Sequence, residues 1–123
     1  LSDIRTKLED LQGRLMTQGG IFDVPRLKND IARLGDRTLA PGFWDDMKKA
    51  QAVTRKRSAL EQTVETFEKA VRDVDDAREL LELGVQENDE PTIQEAEGLL
   101  PALEERVRKM ELKRMLAGEA DHA

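Results

Sequence analysis

Apolar residues near the start of the chain fall at Ile4, Leu8, Leu11 and Leu15, steps of four and three that place them on one face of an α-helix. With Ser2 available as a cap, this spacing predicts a helix over residues 2–18. Gly19-Gly20 reads as its end. Asp23 followed by Pro25 reads as a new start, because a carboxylate accepts the N–H bonds that a first turn leaves open and proline has no N–H to lose there. Leu27, Ile31 and Leu34 line a second, short helix over 24–34, with Gly35 as its stop.

A turn-rich stretch from Gly35 to Gly42 leads into Phe43-Trp44-Asp45-Asp46, where an aspartate can cap a third helix over 45–87. In it Val53, Leu60, Phe67, Val74 and Leu81 recur every seven residues, with Ala50, Val64, Val71 and Val85 in the partnering row. Arg57 and Arg78 interrupt that row, so their aliphatic stems are expected to lie along the seam. Asp89 and Pro91 then open a fourth helix over 90–117, striped by Ile93, Ala96, Leu100, Leu103, Val107 and Met110. Pro101 removes a backbone bond from this helix and predicts a bend, and Gly118 reads as the stop. Two long stripes joined by a short turn bury their apolar edges by lying antiparallel. The expected fold is therefore all-α, an antiparallel helical bundle with a long two-helix coiled-coil hairpin, in a single domain over residues 1–123 with the N-terminal helices packed on the hairpin.

Composition narrows the chemistry. Charged residues make up 37% of the 123 positions and aromatics 3%, a balance suited to helices packed through aliphatic seams rather than to deep pockets. There is no cysteine, hence no disulfide, thiolate metal ligand or thiol nucleophile. No run of about 18 apolar residues marks a membrane span, the charged, amphipathic start does not resemble a secretion leader, and a cytoplasmic location is expected. A net charge of −6 argues against uniform attraction to nucleic acid and leaves room for local basic patches.

The inventory of reactive groups is thin. The single histidine, His122, has no glutamate three residues before it, so the Glu-x-x-His element of di-metal bundles is missing, and a solvated terminal side chain is the plain reading. Asp73, Asp75, Asp76, Glu79 and Glu82 form an acidic run without the turn glycine of an EF-hand loop, as a solvated helix face does. Gln18-Gly19-Gly20 lacks the lysine or the strand context of a phosphate cradle and reads as a helix break. No catalytic, cofactor-binding or metal-binding residue is assigned, and no small-molecule substrate is expected. Phe22, Phe43 and Trp44 can form either a binding patch or a plug at the bundle end, and the plug is the expectation. Basic residues cluster at Lys48, Lys49, Arg55, Lys56 and Arg57, and again at Arg106, Arg108, Lys109, Lys113 and Arg114. Of these, Arg55, Lys56 and Arg57 are the candidate contacts to RNA phosphates.

The series Gly20-Ile21-Phe22-Asp23, Gly42-Phe43-Trp44-Asp45, Ala50-Gln51-Ala52-Val53, Glu79 to Leu83 and Glu111 to Glu119, in order across essentially the whole chain, resembles the N-terminal domain of bacterial peptide chain release factor 2, the UGA- and UAA-reading kind. Ala120 departs from the tyrosine common in that family after Gly-Glu. The resemblance implies a cytoplasmic translation termination factor that acts on the ribosome at the stalk base and GTPase-associated centre, with interplay with the GTPase release factor. In that family the Gly-Gly-Gln loop triggers peptidyl-tRNA hydrolysis and a Ser-Pro-Phe tripeptide reads the codon. Neither stands in these 123 residues, and Gln18-Gly19-Gly20 has the reverse order, so the fragment itself is expected to be non-catalytic, with the codon-reading and catalytic domains outside it. The rival reading is a generic cytoplasmic coiled-coil interaction or adaptor module, which the heptads alone equally allow.

Overall fold

A computed structural model describes the backbone of residues 2–122 and the side chains of residues 2–116. Among the described residues four α-helices follow one another: α1 (Ser2–Phe22), α2 (Val24–Arg37), α3 (Met47–Gln86) and α4 (Glu90–His122), with a 3-10 turn at Phe43–Asp45 before α3. Among the described residues there is no strand, and the all-α bundle stands. The expected solvated state of the His122 side chain lies outside the described side chains.

The starts of three helices follow from aspartates. Asp23 Oδ1 accepts from Arg26 N–H at 3.4 Å, Asp46 Oδ1 from Lys49 N–H at 3.1 Å and Asp89 Oδ1 from Thr92 N–H at 3.4 Å. Each carboxylate reaches the N–H three residues ahead, where the first turn has no backbone acceptor. Asp46, not Asp45, caps α3, because Phe43 to Asp45 are taken up in the 3-10 turn, so the helix begins two residues later than expected. The α3–α4 turn closes with Asn88 at φ 53°, while Asp89 N–H donates to Gly84 O at 2.8 Å, satisfying a carbonyl at the end of α3.

Helix ends differ from expectation wherever a glycine was read as a stop. α1 runs through Gly19 and Gly20 to Phe22, and the left-handed residue that ends it is Asp23, at φ 52°. α2 runs through Gly35 to Arg37, and α4 continues past Gly118 to His122. Pro101 leaves α4 helical on both sides. Gly19 and Gly35 have other work. A Cβ on Gly19 would lie 2.7 Å from the Phe67 ring, and one on Gly35 would lie 3.1 Å from the Arg57 guanidinium. These glycines are notches that admit a neighbouring side chain, a role that spacing along the chain does not display.

The helices fall into two compact units, Leu1–Gln18 with Lys69–Ala123, and Gly19–Glu68. In the first, α1, the second half of α3 and α4 form a three-helix bundle. Arg5 pairs with Glu82 and Gln12 with Asp75, so α1 runs antiparallel to α3. Arg106 pairs with Asp73, so α4 is also antiparallel to α3, as the hairpin requires. The core holds Leu8, Leu11, Leu15, Val74, Leu81 and Val107, each at most 1% exposed. Burying such side chains contributes about 1.5–3 kcal/mol apiece. A third row joins them, Ala70, Ala77 and Gly84, seven residues apart and buried. α3 lies here between two partners, so its buried stripe is wider than a two-helix seam, and small residues set the closest approach.

In the second unit, α2 lies antiparallel along the first half of α3. Lys28 pairs with Glu68 at 2.9 Å, and Gly35 faces Arg57. Leu34, Ala50, Val53 and Val64 are buried, and Leu60 and Phe67 half-buried. The expected aromatic plug is split: Phe22 meets Phe67 edge to face at 6.5 Å, while Phe43 meets Trp44 at 5.0 Å. Trp44 is 56% exposed and seals nothing.

Candidate nucleic-acid interface

Which cations remain available for a partner depends on which are consumed inside the fold. In the three-helix unit most are consumed. Arg14 donates to both Glu111 oxygens, at 2.9 and 2.5 Å, and to Asp10 at 3.4 Å. The Arg14 bond holds the Glu111 carboxyl below its ordinary pKa, and the same bond raises that of Arg14. Arg5 does the same to Glu82, and Arg108 to Glu105. Arg78 donates to Gln12 Oε1, whose amide in turn donates to Asp75 at 3.3 Å. Of the second basic cluster, Arg106 is tied to Asp73 at 2.5 Å, Arg108 and Lys109 both face Glu105, and Arg114 is half-buried.

In the two-helix unit the three residues singled out by sequence separate. Arg55 and Lys56 are exposed. Arg57 is half-buried, with its guanidinium against Gly35. Its Nε lies 3.2 Å from Glu61 Oε1 but makes no hydrogen bond. Arg57 is thus part of the α2–α3 packing.

Lys56 keeps different company than the sequence suggested. A shallow hollow of about 260 Å³ is lined by Asp30, Arg33, Leu34 and Arg37 of α2 and by Lys56 of α3. A second, of about 330 Å³, is lined by Arg37 again, with Gly42, Phe43, Asp46 and Lys49. Gly42, at φ 78°, provides the left-handed step that turns the chain into Phe43. Arg33 and Arg37 were missed by sequence reasoning, which weighed runs of adjacent basic residues. The available signal was their i, i+4 spacing, which puts both on one face of α2.

Among the described residues no group of three or more histidine, cysteine or acidic side chains is placed to hold a metal. No described helix is long and apolar enough to cross a membrane. The hollow of about 430 Å³ between α1 and α3 is walled by Arg5, Arg78, Glu79 and Glu82 over Leu8 and Leu81, with Arg5 paired to Glu82 and Arg78 bonded to Gln12. The arrangement is suited to binding through surfaces.

Comparison with protein families decides whose surfaces these are: the model of the PCRF domain matches residues 27–123. The chain belongs to the PCRF-domain family. This is the family of peptide chain release factors, and membership gives the chain a place in translation termination and in interaction with the ribosome. The matched PCRF segment begins within the first turn of α2 and takes in both hollows and the α3–α4 hairpin. α1, which supplies Ile4, Leu8, Leu11 and Leu15 to the core, precedes the matched span of the PCRF domain.

Proposed function

We propose that the chain is the N-terminal, ribosome-engaging domain of a release factor that directs termination at UGA and UAA. Its place of action in this reading is the stalk base near the GTPase-associated centre, in the cytoplasm, with functional interplay with the GTPase release factor. The PCRF match over residues 27–123 is the observation that carries the reading. The UGA/UAA type rests on the two elements Gly20-Ile21-Phe22-Asp23 and Gly42-Phe43-Trp44-Asp45, which resemble that branch of the family.

The fragment in this reading is a positioning module without chemistry of its own, since no Gly-Gly-Gln occurs in its sequence. Its contribution is binding free energy and orientation, which raise the effective concentration of any domain tethered to it at the ribosome. The test is binding of the 123-residue chain to purified ribosomes with and without their stalk-base proteins. Binding is expected to fall on their removal; retention at full affinity would refute the stalk-base assignment.

A further inference from the structure

Residues 26–57 carry nine cationic side chains against four acidic ones, in a chain whose net charge is −6. Lys28 and Arg57 face Glu68 and Glu61, but Arg33, Arg37, Lys49 and Lys56 have no carboxylate within 4.0 Å among the described residues. These four line the two adjoining hollows of the α2–α3 unit. Arg37 belongs to both, so the hollows form one track with cations on each wall. Two acidic groups share the track, Asp30 and Asp46, and one Asp46 oxygen is already taken by the Lys49 N–H.

We propose that this track binds the phosphodiester backbone of an RNA, with Arg33, Arg37, Lys49 and Lys56 each facing a phosphate. The proposal rests on the ribosome-engaging reading above and replaces the run Arg55-Lys56-Arg57 by a site formed from two helices. Successive cations along a track match a polymer of regularly spaced charges better than a single anion, and surface cations without acidic partners need shed no ion pair to bind. Trp44, more than half exposed and with its ring perpendicular to that of Phe43, stands in the segment between Gly42 and Asp46 that borders the track. An unpaired base can stack on such a face, which a protein partner would instead meet with apolar side chains.

Four phosphate contacts predict a slope of log affinity against log salt of about −2.8 to −3.6 from this track, so a fourfold rise in salt lowers affinity by about 50- to 150-fold. The experiment compares the native chain, the charge-reversed Arg33→Glu/Arg37→Glu/Lys49→Glu/Lys56→Glu variant and a control reversed at exposed Lys7, Lys69, Arg72 and Lys113, on purified ribosomes and on deproteinised ribosomal RNA. Circular dichroism establishes that all three chains are equally helical. An all-lysine variant, Arg33→Lys/Arg37→Lys, serves as a second probe that keeps the charge and the fold.

The track variant is expected to lose most of the slope on both substrates, while the control keeps it and the lysine variant retains most of the affinity. Equal slopes for track and control variants would overturn the track while leaving ribosome binding intact. Loss of ribosome binding on Leu39→Ser, at a leucine 81% exposed, with an unchanged salt slope would overturn it in favour of an apolar protein contact. Failure of the native chain to bind ribosomes at all would refute the ribosome-engaging reading itself, and the track with it.

Discussion

Gly84 offers a substitution whose sign is decided by tertiary contact against local preference. It lies two residues before the end of α3, and alanine there would gain about 0.8–1 kcal/mol of helix propensity. A Cβ at this position would stand 2.9 Å from Ile93 Cγ1, 3.0 Å from the Ile93 backbone N and 3.2 Å from Thr92 Cβ. The Ile93 N–H is held by Asp89 O at 3.2 Å in the first turn of α4, so backbone on both sides of the contact resists displacement. Overpacking of this kind costs about 1–3 kcal/mol, and against the propensity gain a net loss of about 1 kcal/mol is expected. Gly13 and Gly98 also lie inside helices, and a Cβ on either meets nothing within 4 Å. There the propensity term stands alone, and alanine is expected to stabilise by up to about 1 kcal/mol. The assay is urea unfolding of Gly84→Ala, Gly13→Ala and Gly98→Ala side by side. The midpoint should move down for the first and up for the other two at constant slope, with thermal midpoints shifting by about 4 °C per kcal/mol. If Gly84→Ala were as stabilising as Gly98→Ala, the reasoning that α3 and α4 meet backbone to backbone at this notch would be wrong.

Two further outcomes are expected from the three-helix unit. Because Arg14 holds the Glu111 pKa below its ordinary value of 4.5, the contribution of this pair is complete above that value and is lost as pH falls through the lower, folded-state pKa. A double-mutant cycle of Arg14→Ala and Glu111→Gln should give a coupling of about 1 kcal/mol at neutral pH that fades in acid as Glu111 is protonated, and a coupling that grew on acidification would contradict the sign. Gln18 is 2% exposed on the same stripe as Leu11 and Leu15, and its Oε1 has no hydrogen-bond partner. Gln18→Leu should therefore raise stability by about 1 kcal/mol in denaturant unfolding, since it removes a buried acceptor without a donor; a loss of similar size would mean that the amide is bonded in solution.

Features governed by neighbours within four residues were legible in the sequence. The aspartate caps at residues 23 and 89, the stripe Ile4-Leu8-Leu11-Leu15 and the antiparallel α3–α4 hairpin follow from local geometry: a carboxylate reaches the N–H three residues on, and apolar spacing of three and four gives one face. The row Ala70-Ala77-Gly84 was passed over because small side chains carry little hydrophobic weight, although they are what lets helices come close. The basic cluster was legible as composition and not as a surface. Arg57 is committed to packing, while Arg33 and Arg37, distant in sequence from Lys56, stand beside it because α2 runs antiparallel to α3.

By itself the sequence determined that this chain is helical and where three of its helices begin. Only the tertiary structure decided which glycines admit a neighbour instead of ending a helix, which charges are neutralised inside the bundle, and which remain to meet a partner. The division has one physical cause. Capping and periodicity are short-range and written in adjacent residues, whereas steric clearance and charge pairing depend on side chains brought together from as many as 97 positions away, as Arg14 and Glu111 are.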